Sequence, residues 1–392
     1  MRRPEMIEGL RMLKFGKIHE RYDGDELTQA EAAELLGVSE RTFRRWCGRF
    51  RDGGEAGLSD RRLGRAAHNR APEAQADEIA RLYREKYAGF TAKHFHEHLV
   101  QGGFKWSYTW TKSLLQRRNL LEVARARGAH RRKRPRRPMA GMMLHQDASR
   151  HVWVAGAPAC DLVVTLDDAT SAIYSALLVA EEGTASTFAG LLEVFTTHGL
   201  PCSLYTDRGS HYFTTVKAGG RVHKDAPTQV GRALGRLGVE HIAAYSPEAR
   251  GRSERAFRTL QDRLPKELAL AGVTTVAGAN AYLRDTYIGQ HNARFAVAAE
   301  EPGVAFVGVP GIDLREVLCH EEERQVGHDN TVVLHKVRLQ IPPSPLRAHY
   351  VRATVRVRRY ADGTHGVFHG PRCIGRYDAT GTSLDEPTQQ AA

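Results

Sequence analysis

Three acids in this chain have the residue type and setting to do chemistry together: Asp147 in H-Q-D-A-S, Asp207 in Y-T-D-R-G-S-H-Y-F and Glu254 in A-R-G-R-S-E-R. Carboxylates gathered at one place repel one another and take up protons, and a bound divalent cation reverses that. An all-oxygen donor set points to Mg²⁺ or Mn²⁺ rather than zinc. Two such ions about 4 Å apart serve phosphoryl transfer, one activating water or a 3′-hydroxyl and the other steadying the leaving 3′-oxygen. DNA is the substrate this suggests. Gly209 lets a backbone approach closely, Ser210 can donate to a phosphate, and Arg208, Lys217, Arg252 and Arg258 are cations near the acids. Rivals exist. Asp167 or Asp168 could stand for Asp147, although acids in a tight turn usually cap backbone donors. Glu248 could stand for Glu254, although an acid beside a helix start is favoured by the dipole anyway.

The elements that must position these acids read as a mixed α/β sheet. Met142 to Asp147 is a predicted strand with Asp147 at its end. Residues 161 to 179 are two strands around the Asp-Asp-Ala-Thr-Ser turn. A helix follows through Phe188, Leu191, Leu192 and Phe195, then a strand from Ser203 to Thr206 that ends at Asp207. A helix from Thr228 to Leu237 and a strand from Val239 to Ala243 lead to the helix of Glu254. Phe257, Leu260, Leu264 and Leu268 recur there at helical spacing, and Glu254, one turn earlier, is expected to share their face. Pro265 predicts a kink three turns beyond Glu254. In such sheets ligands collect at strand ends, where connections leave.

The rest of the chain suits a polyanionic partner. Its 392 residues carry 57 Lys and Arg against 45 Asp and Glu, a net +12, which favours nucleic acid over membrane. No apolar run approaches the ~20 residues of a membrane span, and the start Met1-Arg2-Arg3-Pro4 lacks the apolar core of a secretory leader. Five scattered cysteines read as free thiols of a reducing cytoplasm. His94, His96 and His98 alternate, and on a helix the three do not share one face, so they are read as no metal site.

At 27 to 46 the pattern is a helix-turn-helix. Thr28 and Glu31 form a capping box, with Ala32, Leu35 and Leu36 inward, and Gly37 turns the chain. Ser39 caps a second helix that sends Phe43 and Trp46 inward and presents Arg41, Thr42, Arg44 and Arg45 to the major groove. A helical region over 72 to 121 is either a second such motif, with Tyr108, Thr111 and Lys112 towards DNA, or a spacer. Residues 125 to 138, with Arg131, Arg132 and Arg134, are a basic linker that lies along phosphates or stays solvated. Beyond Pro302 alternating strands predict a small β-barrel. Val351, Ala353, Val355 and Val357 face inward and Arg352, Arg356 and Arg358 form a basic face, with disorder from Thr380.

Taken together, H-Q-D-A-S, D-D-A-T-S, T-D-R-G-S, K-A-G-G-R-V-H-K at 217 to 224 and Y-S-P-E-A-R-G-R-S-E-R at 245 to 255 are similar to the motifs of DDE-type insertion-sequence transposases, most of all the ISNCY group. The resemblance covers nearly the whole chain. It implies a retroviral-integrase-like, RNase H-like core in which Asp147, Asp207 and Glu254 are the catalytic, metal-binding acids. It also implies two Mg²⁺ (or Mn²⁺) ions, recognition of terminal inverted repeats and target DNA, strand cleavage and strand transfer, and a homo-oligomer, dimer or higher, on double-stranded DNA in the bacterial cytoplasm at the nucleoid. The expected DNA-binding residues are Ser39, Arg41, Thr42, Arg44, Arg45, Tyr108, Lys112, Arg131, Arg132, Arg134, Ser210, Lys217, Arg252 and Arg258. The expected domains are 1–64 helix-turn-helix, 65–124 second helical domain, 125–138 linker, 139–300 catalytic core and 301–392 β-domain. The alternative is a catalytically inactive remnant or regulator that only binds DNA.

Overall fold

The computed structural model describes residues 3–59, 71–122, 135–215, 220–223, 226–245, 251–344 and 347–384. The chain divides into two compact units, one to residue 81 and one from residue 82.

In the first unit, α1 (Arg3–Asp23) precedes α2 (Gln29–Leu36) and α3 (Glu40–Leu58). Thr28 closes the capping box with Glu31, and Gly37 takes the left-handed conformation (φ 68°, ψ 36°) that a side chain would strain. Ser39 accepts the Thr42 N–H and starts α3. The core is Phe15 and Ile18 of α1 with Ala32, Ala33, Phe43 and Cys47. Ala33 takes the inward place expected of Leu35, which is 47% exposed. The long α1, not read from the sequence, supplies the aromatic floor that a two-helix motif lacks.

The second unit begins with helices α4 (Glu73–Lys86), α5 (Ala92–Gln101) and α6 (Tyr108–Arg117), of which α4 straddles the unit boundary. Phe95 and Leu99 of α5 and Leu114 and Leu115 of α6 are buried. Then come β1 (Leu144–His151), β2 (Cys160–Asp167), β3 (Ile173–Val179), α7 (Thr184–His198), β4 (Ser203–Thr206), α8 (Gln229–Arg236), β5 (Glu240–Ala243) and α9 (Gly251–Leu270). The sheet order is β3-β2-β1-β4-β5. The first three strands pair antiparallel, and β4 and β5 continue parallel to β1. This is the mixed sheet that the sequence predicts.

Every residue of β2 is buried, because helices cover both faces of the sheet. On one side Leu162, Val164 and Leu166 pack on Phe257, Leu260, Leu264 and Leu268 of α9. On the other, Leu144 and Leu204 pack on α7 and α8. Each such leucine adds about 1.5–3 kcal/mol. The free edge, β3, is sealed by α10 (Val276–Tyr282) and α11 (Ile288–Phe295), joined by a π turn. Asn280 exchanges two hydrogen bonds with Leu178 at 2.6 and 2.9 Å, and Asn292 two with Ile173 at 2.8 and 2.7 Å. A capped edge cannot pair with another chain.

The last strands are β6 (His320–Gln325), β7 (Thr331–Leu334), β8 (Val337–Gln340), β9 (Thr354–Arg359), β10 (His365–His369) and β11 (Arg372–Tyr377). Four of them form the sheet β11-β10-β9-β6, and β7-β8 is a separate hairpin. Val355, Val357 and Val367 of the sheet share a core with Val332, Leu334 and Leu339 of the hairpin. Among the described residues the sheets stay open, so the expected barrel closure is not found: the hairpin covers the core as a flap. The expected basic face is also neutralised. Arg358, 4% exposed, bonds Glu321 at 2.6 Å and Glu316 at 2.7 Å. The register sets Glu321 opposite Arg358 and Glu323 opposite Arg356. Residues 380 to 384, expected disordered, turn back on Asp378, whose carboxylate accepts the N–H groups of Thr380 and Thr382.

Candidate active site

The parallel pairing of β1 with β4 aligns Leu144 with Leu204 and His145 with Tyr205. Carried on two residues, this register sets Asp147 level with Asp207 on adjacent strands. Asp147 lies inside β1 rather than at its end, because β1 runs on to His151 against β2. Its Oδ1 accepts the Ala148 N–H at 3.0 Å. Asp207 directly follows β4, and its Oδ1 accepts the Gly209 N–H at 2.8 Å. A Cβ on Gly209 would come within 3.1 Å of that same oxygen, so glycine here keeps the carboxylate uncrowded.

Behind the two acids sits Tyr212, 1% exposed. Its phenol pKa is pushed well above the ordinary value, first by burial, then by the negative charges of Glu182, Asp147 and Asp207. One side chain therefore feels three carboxylates. Its hydroxyl donates to Gln146 at 3.2 Å and Glu182 at 3.3 Å, and His211 approaches Glu182 at 3.5 Å. His241, on β5, stacks on Phe213 and meets the Thr206 hydroxyl at 3.0 Å. Burial, then the nearby His211, lowers its pKa to about 4. Glu182, His211 and Tyr212 were not singled out in the sequence. The signal was the His-Tyr pair directly after T-D-R-G-S.

Glu254 stands in the first turn of α9. Phe257, Leu260, Leu264 and Leu268 are buried as expected, but Ser253 takes the inward place and Glu254 is exposed. The cause is phase: Ser253 and Phe257 are four residues apart on one face, and Glu254 lies a step round. The helix still brings Glu254 alongside β1. Arg252 bonds Asp168 at 2.9 Å, and Asp168 bonds His145 at 2.7 Å. Further on, Gln261 bonds Ser149 at 2.9 Å. From 252 to 261 along a helix and from 145 to 149 along a strand are both about 13 Å. Helix and strand therefore run side by side over this stretch. Oxygens of Asp147, Asp207 and Glu254 do not all gather within 4.8 Å; among the described residues, His94–His98–Glu267 and His320–Glu322–His335 do. The helix continues through Pro265 to Leu270.

The rival acids are occupied. Asp167 accepts the N–H groups of Gly141 and Thr170. Asp168 takes His145, Arg252 and the Arg137 N–H. Burial raises its pKa, but the bond from His145, that N–H and the charges of His145 and Arg252 outweigh it, leaving it at about 2. Glu248 lies outside the described residues.

Of the expected DNA contacts, Arg41, Arg44 and Arg45 are exposed on α3, and Thr42 is half-buried. Ser39 is the helix cap. Tyr108 and Lys112 are exposed on α6, whereas Thr111 is fully buried and bonds the Ser107 carbonyl and His96. Ser210 and Arg258 are exposed. Arg252 is engaged by Asp168 and by the Pro135 carbonyl at 3.0 Å. Arg131, Arg132, Arg134 and Lys217 lie outside the described residues. Among the described residues, no helix is long and apolar enough to cross a membrane.

Comparison with known proteins bears on both ends of the chain. Residues 17–67 match the helix-turn-helix domain family. The chain is 32% identical to a putative transposase, y4bF, of Sinorhizobium fredii over 344 residues, which is 86% of this chain and 74% of that protein. It is 28% identical over 267 residues to the transposase for insertion sequence IS1202 of Streptococcus pneumoniae, 58% of this chain and 57% of that one. Among solved structures, the HTLV-2 integrase catalytic core domain in complex with magnesium is 15% identical, with a TM-score of 0.29 over 38% of this chain and 90% of its own. A simian T-cell lymphotropic virus intasome in complex with PP2A regulatory subunit B56 gamma is 13% identical, with a TM-score of 0.34 over 76% of this chain and 95% of its own.

Proposed function

Since this chain belongs to the insertion-sequence transposases, we propose that it binds the terminal inverted repeats of its own element and catalyses divalent-metal-dependent DNA strand cleavage and strand transfer. The observation that supports the reading is the parallel β1–β4 register, Leu144 with Leu204 and His145 with Tyr205, which continued by two residues would bring Asp147 and Asp207 level. The donor set is all oxygen and suits Mg²⁺ or Mn²⁺, and Asp147, Asp207 and Glu254 would hold two ions. When bound, such ions offset the charge that develops on the transferring phosphate.

The chain's own residues do the positioning. Backbone N–H groups of Ala148 and Gly209 orient the two sheet acids. The Asp168–Arg252 pair fixes the start of α9 beside β1, and on this reading Glu254 would turn its carboxylate from solvent towards the other two acids when the ions bind. Ser39, Arg41, Thr42, Arg44 and Arg45 present α3 to the major groove. Tyr108, Lys112 and the basic run with Arg131, Arg132 and Arg134 hold the flanking duplex. Ser210, Lys217 and Arg258 hold the strand at the acids, while Arg252 acts on DNA through the frame it fixes. The modules 1–64, 65–124, 125–138, 139–300 and 301–392 are the working units, and the enzyme acts as a dimer or higher homo-oligomer at the bacterial nucleoid.

The test is cleavage of duplex DNA carrying the element's own inverted repeats. The expected result is Mg²⁺-dependent nicking at the repeat end, lost in Asp207→Asn, with DNA binding kept. An Asn variant that cuts as well as the parent overturns the metal-site assignment. Specific binding without cleavage in Mg²⁺ or Mn²⁺ leaves the DNA-binding regulator.

A further inference from the structure

We propose that His94, His98 and Glu267 form a binding site for a transition-metal dication of the zinc class, which clamps α5 to the far half of α9. Read as a run of three, the histidines of α5 share no face. Two of them do: His94 and His98 are four residues apart, one helical turn. Both point their Nε2 atoms at one oxygen, Glu267 Oε1, at 2.5 and 2.9 Å. All three ligand atoms lie within 4.8 Å of one another. Two imidazoles and one carboxylate, on two elements packed together, are a donor set that zinc takes and that magnesium does not favour.

The surroundings suit an ion. His94 is fully buried, and His98 and Glu267 keep side-chain exposures of 18% and 12%, which leaves a route from solvent. The neighbouring cation, Arg263, is taken by Glu97 at 2.6 Å, which also binds Arg294 at 3.0 Å. The His94 ring stacks on Phe90 at 4.4 Å, and its Nδ1 is buried with no hydrogen-bond partner among the described residues. To admit the ion the three atoms open by several tenths of an ångström, to Zn–N and Zn–O bonds of about 2.0–2.2 Å. The other gathered trio, His320, Glu322 and His335, is the weaker candidate, because Arg324 already pairs with its carboxylate and His335 is half exposed.

The site differs from the sheet acids in ligand chemistry and lies about 20 Å along α9 from Glu254. It would fix the helical region that precedes the catalytic core against the helix that carries Glu254. The test uses the full chain, stripped with a chelator and reloaded with zinc alone. One zinc per folded chain is expected by elemental analysis, unmoved by a large excess of Mg²⁺. Cobalt loading should give the visible absorption of a four-coordinate nitrogen–oxygen site. His98→Ala, at the half-exposed ligand, should lose the ion and the cobalt bands while circular dichroism shows the fold kept. Asp147→Asn/Asp207→Asn and His320→Ala/His335→Ala should each keep it. If the parent holds no zinc after reloading, or if His98→Ala holds as much as the parent, the site is overturned. Should His98→Ala fail to fold, Glu267→Gln is the second variant, with the same two readings.

Discussion

At its first turn α9 carries Glu254 in solvent; at its far end it carries Glu267 clamped between two imidazoles. The two glutamates share a helix and differ in what the packed elements offer them. Glu254 faces solvent, and the site proposed for it would join it to two more carboxylates, Asp147 and Asp207. Beside Glu267 stands a helix with two ring nitrogens. Burial raises the Glu267 pKa, but the bonds from His94 and His98 outweigh it and bring it down to about 2. Burial lowers the pKa of His94, so a neutral ring donates to an ionised carboxylate. The lesson is that an acid near donors is already settled in the folded chain, while the acid cluster proposed here would be settled by a cation from outside.

The sharpest way to break this comparison is to remove the settled acid. Glu267→Ala leaves one fully buried and one half-buried ring without their acceptor, and losing two hydrogen bonds to a charged group should cost about 3–5 kcal/mol. Urea unfolding of the zinc-free protein measures it. Glu254→Ala, at an exposed position, should stay within about 0.5 kcal/mol. Equal losses would show that the two ends do not differ. In activity the order reverses. Glu254→Gln should slow nicking of inverted-repeat DNA by about 10²–10³-fold, or about 2.7–4 kcal/mol of barrier, with binding unchanged. A rate within tenfold of the parent would take Glu254 out of the site.

How much of this could be read beforehand follows the range of the interactions. The order of strands and helices along the core, the capping box at Thr28 and the stripe on α9 are set by local periodicity and caps, and all were legible; the strand order within the sheet, set by long-range pairing, was not read. Glu254 was assigned to the buried face because a spacing of three residues looks like a shared face. Only the packed helix shows that Ser253 holds that place. Arg358 was read as part of a basic face because a strand pattern does not reveal its neighbour; β6, with Glu321 and Glu323, lies more than thirty residues away. The pairing of His94 and His98 with Glu267 joins residues some 170 positions apart, and no spacing within α5 could announce it.

A third measurement asks what holds the start of α9. Asp168 is depressed to about 2 from an ordinary 3.8. Its stabilisation is therefore complete above about pH 4 and is lost as pH falls towards 2. The shift corresponds to about 2 kcal/mol. Asp168→Asn should flatten that part of the acid unfolding curve and, by loosening Arg252, slow nicking at neutral pH. An unchanged acid limb would mean that His145 and Arg252 do not depend on this carboxylate.

The smallest effect expected lies between the two glutamates, at Pro265. A proline inside a helix removes a hydrogen bond and crowds the carbonyl four residues back, about 3 kcal/mol in an ideal helix. Here α9 runs on through the ring to Leu270, so much of that strain has already been absorbed. Proline also restricts the unfolded chain, which returns about 0.4–1 kcal/mol to the folded state. Pro265→Ala should therefore stabilise the protein by only about 1 kcal/mol. Nicking should hold within about threefold, because Glu254 is positioned by Arg252 and Gln261 on its own side of the proline. A larger change in rate would mean that Pro265 governs the placement of the first turn.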